Sequence, residues 1–303
     1  MKPTANHPAD IRWLDAAIRY TLYPLLMTIT IAFAWYSLDD RDHLSRYYGY
    51  YLMGVVVTMV VVEALRPLRS EWRMTRASFF RRDLPFLLIG ATTLGLADYI
   101  AGFIVIQHSI EHPSTLADLP LLPAFVLALM AKDMLWYGYH RAAHQLGGRL
   151  GQRLWKIHVA HHLPQQVYVF MHVVGHPIDT VLARALSALP LYFLGFSPEV
   201  VFLVSVLVSF QGLVSHFNVD IRVGWLNYFL VGTELHRFHH SADRAEAQNF
   251  GAVITLWDHL FGTFYYRPNA HPRRLGVEQP EIYPDDRAIG GILALPFRSD
   301  RAG

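Results

Sequence analysis

The chain has 17 histidines and no cysteine, and eleven of those histidines fall between positions 140 and 240. Three clusters stand out: His140-Arg-Ala-Ala-His144, His158-Val-Ala-His161-His162 and His236-Arg-Phe-His239-His240. On a helix, residues three and four apart share a face, so each cluster presents its imidazoles in one direction. Packed imidazoles repel one another when protonated and leave ring nitrogens unpaired when buried and neutral. A metal ion removes both difficulties by taking the lone pairs. Eight histidines exceed what one tetrahedral zinc can use and suit two ions. The absence of cysteine excludes thiolate zinc sites, cysteine-held iron–sulfur clusters, thiolate-ligated haem and disulfides. What remains, imidazole and carboxylate, suits iron, zinc, copper or nickel. His172, His176 and His216 lie singly between the clusters. His7, His43, His108, His112 and His271 lie outside them and read as solvent-facing.

The elements that must position these side chains are apolar helices. Hydrophobic residues make up 53% of the 303-residue chain and mean hydropathy is +0.23, which places it in the membrane class. Stretches at 17–36, 50–65, 84–106 and 119–137 approach the roughly 20 residues that cross a bilayer. Two more, 178–196 and 199–212, flank a tight Gly195-Phe196-Ser197-Pro198 turn and read as a helical hairpin, spanning or re-entrant. The segment 225–232 is too short to span and reads as interfacial. The N-terminal region lacks the pattern of a cleaved signal peptide. Arg66, Arg69, Arg73, Arg76, Arg81 and Arg82 crowd the loop after the second span, whereas 107–118 contains no Lys or Arg. The positive-inside rule makes the arginine loop cytoplasmic, with the N-terminus and every histidine cluster on its side. A formal charge of +2 gives no sign of nucleic-acid binding. The expected fold is therefore an all-α integral membrane protein. It has about four transmembrane helices, a helical hairpin and a cytoplasmic helical cap carrying the histidine boxes. Its regions are an N-terminal transmembrane part (1–118), a catalytic domain (119–266) and a polar cytoplasmic tail (267–303) packed loosely on the rest.

Boxes at the mouth of an apolar bundle suit an oxygen-activating lipid enzyme, since iron changes oxidation state and zinc does not. The order H-x-x-x-H, H-x-x-H-H, H-x-x-H-H resembles the fatty acid hydroxylase superfamily, also called the sterol desaturase family. The likeness continues in Asp133-Met-Leu-Trp-Tyr137-Gly-Tyr-His140-Arg141, in Trp155-Lys-Ile-His158, and in His176-Pro177-Ile-Asp179. It extends through Phe210-Gln211 with His216-Phe-Asn218, Asn249-Phe-Gly251, and Trp257-Asp258-His-Leu-Phe261-Gly262-Thr263, so it covers about 119–264.

That resemblance implies metal ligands at His140, His144, His158, His161, His162, His176, His216, His236, His239 and His240. It implies two iron ions as cofactor, O2 as co-substrate, and hydroxylation or desaturation of an unactivated C–H in a sterol, fatty acyl or polar membrane lipid. Electrons must come from an external ferredoxin, cytochrome or reductase, because no flavin, haem or iron–sulfur motif is present. The expected location is a bacterial plasma membrane. Asp133 lies on the face of His140 and His144 and is expected to accept an imidazole N–H; pairing with Lys132 or Arg141 is the alternative. Where the family often has arginine, this chain has Val174, and His172 could add or substitute a ligand. Glu234, Asn218 and Asn249 are further candidates for hydrogen bonds around the site, and Trp136, Tyr137, Tyr139, Tyr168, Phe170 and Phe210 for a substrate slot. The competing reading is a zinc-dependent membrane hydrolase, for which the chain lacks H-E-x-x-H.

Overall fold

The computed structural model describes the backbone of residues 9–111 and 116–298. His7 and His112 lie outside the described residues, as does the side chain of His108. The chain is helical, and two isolated antiparallel bridges are the β-type pairings among the described residues. The long helices are α1 (Ala9–Ser37), α2 (Tyr48–Leu65), α3 (Leu84–Glu111), α4 (Leu121–Gln145), α5 (Gly148–His162), α6 (Pro177–Phe193) and α7 (Pro198–Ser215). Three short ones follow: α8 (Thr233–His239), α9 (Leu256–Leu260) and α10 (Ile289–Leu293).

Five helical stretches are long and apolar enough to cross a membrane: Trp13–Ser37, Tyr48–Leu65, Ser70–Ile104, Leu121–Gln145 and Pro198–Ser215. Helix α6, at 17 residues, is one residue shorter than α7 and pairs with it through Gly195, whose φ of 76° makes the tight turn that glycine tolerates. Ser197 then caps α7 by accepting from the Val200 N–H, with Pro198 at the first helical position. Large apolar side chains on the outside of the bundle, such as Leu25, Trp35, Met53, Leu88, Phe103 and Leu122, are exposed. An apolar exterior of this extent is suited to lipid.

Two apolar clusters hold the bundle. Tyr23 and Leu26 of α1 and Val55 and Met59 of α2 pack on Phe210, Leu213 and Val214 of α7. Ala124, Ala128 and Leu129 of α4 pack with Leu191 of α6 and Val200, Val201 and Val204 of α7. The short turn in the 194–197 region lies at the end where Arg41 approaches Glu199 (3.6 Å). The opposite end receives the C-termini of α2, α4 and α7 and the N-termini of α3 and α6, and there all three histidine clusters sit.

A third cluster forms the cap: Trp72, Phe86, Val159, Ala160, Tyr168 and Met171 with Leu275, Val277, Ile292 and Leu295. The tail is thus more tightly held than its polar, proline-rich sequence implies. Its few apolar residues are spaced to meet α5 and the arginine loop, and they are buried there.

Candidate metal centre

Each cluster lies within the last two turns of a helix. His140 and His144 end α4, His158, His161 and His162 end α5, and His236 and His239 end α8 with His240 as its cap. His216 caps α7. These four ends converge so that nine imidazoles form two groups. One contains His140, His144, His158, His162 and His239; the other contains His161, His216, His236 and His240. The candidate ligand atoms within each group all lie within 4.8 Å of one another.

The two triplets divide in opposite senses. From α5, the i, i+4 pair His158 and His162 joins the first group and His161 crosses to the second. From α8, the pair His236 and His240 joins the second and His239 crosses to the first. An i, i+4 pair points nearly one way, and the third histidine is rotated to the neighbouring face. A triplet can therefore serve two centres at once.

The outer ring nitrogens are held by the protein. Nδ1 of His140 donates to the Phe250 carbonyl (2.9 Å), that of His161 to Val174 (2.9 Å), and that of His239 to Gln248 (3.0 Å). Nδ1 of His216 faces the Gly212 carbonyl (3.0 Å), and that of His158 faces the Asp179 carboxylate (3.0 Å). With Nδ1 protonated, Nε2 carries a lone pair directed inward. Nε2 of His140 lies 3.0 Å from that of His158, Nε2 of His161 3.0 Å from that of His216, and Nε2 of His236 3.1 Å from that of His240. In the first two pairs both Nδ1 atoms face acceptors, so the two Nε2 lone pairs meet with no proton between them. His144 Nε2 and His239 Nε2 are buried without a hydrogen-bond partner. Burial first, and neighbouring imidazoles second, push His162, His236 and His240 well below the usual imidazole range, and His239 down to about 3. A cluster of neutral imidazoles with converging ring nitrogens, five of them steadied from behind by a carbonyl or carboxylate, is a donor set suited to a metal ion. All-imidazole donors with one carboxylate behind them fit iron.

The other expected residues are placed differently. His176 belongs to neither group: its Nδ1 accepts from the Ile178 N–H (3.1 Å), capping α6, and its Nε2 faces the Leu293 carbonyl (3.2 Å). His172 also lies outside both, with its ring 5.1 Å from that of His216. A Cβ at Gly212 would sit 2.8 Å from the His172 ring, so that glycine makes room for it. Asp133 touches no imidazole of the groups. It accepts from the Val253 N–H (2.8 Å) and lies 3.8 Å from the Lys132 ammonium. Asp258 takes the Phe250 N–H (2.7 Å), the Gly251 N–H (3.0 Å) and the Thr263 hydroxyl (2.7 Å). Together these carboxylates fix the loop whose Phe250 carbonyl holds His140. Gly251 allows its tight path, since a Cβ there would meet the Ile254 carbonyl oxygen at 2.3 Å. Asn249 locks the same loop through Tyr265, and Glu234 gathers the Val223 N–H and the Asn227 amide. Of the aromatics, Trp136 packs 5.1 Å from His140, while Tyr137 hydrogen-bonds Thr263 and Tyr168 donates to Asp83. Tyr139 donates to Asp179, Phe170 packs edge-on to Phe79, and Phe210 packs on Tyr23.

Two contributors have no role in the sequence reading. Asp179 appears there only as part of a motif, yet it faces His158. Glu63, near the end of apolar α2, is buried and accepts the Asn218 N–H (2.8 Å) and the Val169 N–H (3.2 Å), the starts of the segments after His216 and before His172. A lone carboxylate inside an apolar helix is the signal that could have found it.

Residues 125–263 match the family model described as fatty acid hydroxylase. The chain is similar to an ornithine lipid hydroxylase of Rhizobium tropici, 29% identical over 273 residues, which are 87% of this chain and 80% of that one. It is similar to a lathosterol oxidase of Mus musculus, 29% identical over 211 residues, 68% of this chain and 64% of the other. It is also similar to the alkylglycerol monooxygenase of Homo sapiens, 26% identical over 145 residues, 45% of this chain and 29% of that one. No solved structure matches the chain.

Proposed function

We propose that the chain, whose residues 125–263 match the fatty acid hydroxylase family model, is a member of the fatty acid hydroxylase and sterol desaturase superfamily: an integral membrane oxidoreductase that hydroxylates or desaturates a lipid at an unactivated C–H, using two irons, O2 and an external electron donor. The observation that carries this reading is the pair of imidazole groups with inward lone pairs and outward hydrogen bonds. We assign His140, His144, His158, His162 and His239 to one iron, and His161, His216, His236 and His240 to the other. Iron held there would supply the reduction of O2 coupled to C–H oxidation. For hydroxylation the balance is one O2, two electrons and two protons per C–H, giving an alcohol and water.

The chain's own residues then have distinct tasks. The Phe250, Val174, Gln248 and Gly212 carbonyls and the Asp179 carboxylate hold the Nδ1–H of His140, His161, His239, His216 and His158, so that the Nε2 of each of these five stays deprotonated and aimed inward. Asp179 draws on the N–H of His158 and strengthens it as a donor, and Tyr139 steadies Asp179. Asp133 and Asp258 hold the 250–253 loop, and the apolar helices exclude water from the approach of a lipid chain. The catalytic unit is assigned to 119–266. The arginine loop and the boxes share one end of the bundle, which supports a cytoplasmic centre in a bacterial plasma membrane. The ornithine lipid hydroxylase aligns along most of its length, so a polar acylated lipid is the substrate class we assign first.

Elemental analysis of the purified protein tests the reading. About two irons per chain are expected, as a two-ion imidazole site requires, with a lower content in His161→Ala and reductant-dependent O2 uptake in the wild type. Zinc that resists replacement by iron under anaerobic reconstitution, with no O2 uptake, overturns it in favour of a hydrolase.

A further inference from the structure

A cavity of about 1030 Å³ lies away from the imidazoles, between the arginine loop, the segment after α5 and the C-terminal tail. Five arginines line it, and their partners differ. Arg82 is buried and held by Asp83 and Asp286. Arg287 is held by Asp285 (3.1 Å). Arg69 has a loose contact with Glu71 (3.5 Å) and lies over the Trp72 ring. Arg274 donates to the Glu278 carbonyl, and Arg273 has no carboxylate partner among the described residues. Thr75, Ser78 and Gln166 add neutral hydrogen-bonding groups. Glu71, Asp285 and Asp286 also line the cavity, so five guanidinium groups face three carboxylates and the lining is net positive; His271, on the same wall, is pushed down to about 4, first by burial and then by the Arg237 and Arg69 charges.

The cavity also touches the metal-binding frame. Its tail wall runs through Arg274, Leu275 and Val277. There the Arg274 carbonyl accepts from the Ala242 N–H (2.9 Å), and the Gly276 N–H donates to the His240 carbonyl (3.0 Å). Its other wall includes Leu163, next to His162. The segment 271–277 is therefore a strap across the third histidine cluster, and the arginines on its outer side face the loop that enters the membrane.

We propose that this cavity binds a phosphate-bearing anion, the phosphodiester headgroup of an anionic membrane lipid, and that its occupancy fastens the strap over His240. Arg69, Arg273 and Arg274 supply the charge-assisted hydrogen bonds, and the level of the loop, directly after α2, suits a headgroup.

The test is the melting temperature of the full-length, iron-loaded protein in detergent, titrated with dioleoylphosphatidylglycerol, dioleoylphosphatidylcholine or inorganic phosphate. A saturable rise on the order of 3–5 °C with phosphatidylglycerol, and none with phosphatidylcholine, is expected. Phosphate alone reproducing the rise identifies the anion rather than the lipid as sufficient and supports the same site. The double variant Arg69→Gln/Arg273→Gln should lose the rise while keeping its iron. Arg73→Gln/Arg76→Gln removes the same charge from outside the cavity lining and should keep it. Equal loss in both variants, or an equal rise with phosphatidylcholine, overturns the proposal.

Discussion

The division of each histidine triplet between two groups sets what single substitutions should do. Removing His239 takes an imidazole from the first group only, although its neighbour His240 belongs to the second. Asp179 offers a subtler probe because it touches His158 and leaves every imidazole in place. Asp179→Asn keeps the shape and can still accept through its amide oxygen, but it removes the charge behind one ring nitrogen. Carboxylates behind ligating histidines are worth 10–100-fold in affinity. Iron affinity in Asp179→Asn should therefore fall by roughly tenfold or more, read by competition with a chelator. Unchanged affinity removes Asp179 from the frame. Acid acts on the same groups. His161 and His239 are pushed down to about 3, mainly by burial. Below the unfolded histidine value of about 6.5, the unfolded chain binds protons that the folded metal-free chain refuses. Metal-free protein should then be as stable at pH 8 as at pH 7 and lose stability steadily as pH falls from about 6.5 toward 3, as melting curves across that range would show. A flat profile means the cluster is already protonated when folded.

Helix ends bring the imidazoles together, and a few polar residues hold those ends in register. Glu63 is one such clamp. It joins α2 to the backbone on both sides of the site, through the Asn218 and Val169 N–H groups. Glu63→Leu strands two buried donors, each costing about 1–3 kcal/mol. It should lower the melting temperature by several degrees and release iron from the second group before the first. Equal release from both groups would make the clamp a general support. At Gly251 a Cβ would collide with the Ile254 carbonyl oxygen at 2.3 Å. Gly251→Ala should accordingly displace the Phe250 carbonyl from His140 and lower iron content, measured against unchanged helix content by circular dichroism. These elements also show what was legible beforehand. The apolar runs and the three clusters are local patterns, so the helices and the one-sided faces follow from spacing alone. The opposite splitting of the triplets depends on how α5 and α8 cross, which no local pattern records. Glu63 acts on residues 106 and 155 positions away in the chain. His176 shares a family motif, yet its ring is occupied by the Ile178 N–H at the start of α6 and the Leu293 carbonyl of the tail. The tail looked loose because four buried residues, Leu275, Val277, Ile292 and Leu295, are few in sequence and decisive only when α5 lies beneath them.

At the scale of the whole molecule, six helices alternate in direction and return every histidine cluster to the end that also carries the arginine loop. Arg66 beside Asp15, Leu68 bonded to Asn218, and Arg222 bonded to Arg19 tie the start of α1, the end of α2 and the segment after α7 to that end. If the arginines determine topology, the centre meets the cytoplasm, where reduced electron donors are available, and the loop at 38–47 faces the opposite side. The complete absence of cysteine makes this directly measurable, since any single cysteine introduced is the only thiol in the chain. Asp39 is on the distal loop; Arg73 and Arg273 are exposed at the histidine end. In intact cells stripped of their outer membrane, a membrane-impermeant maleimide should label Asp39→Cys and leave Arg73→Cys and Arg273→Cys unmodified until the membrane is opened. The reverse pattern would place the metal groups outside the cytoplasm and require electrons from a donor on that side. Labelling of Arg73→Cys and Arg273→Cys from opposite sides would separate the loop from the tail strap, and that would break the cavity they form as well as the orientation.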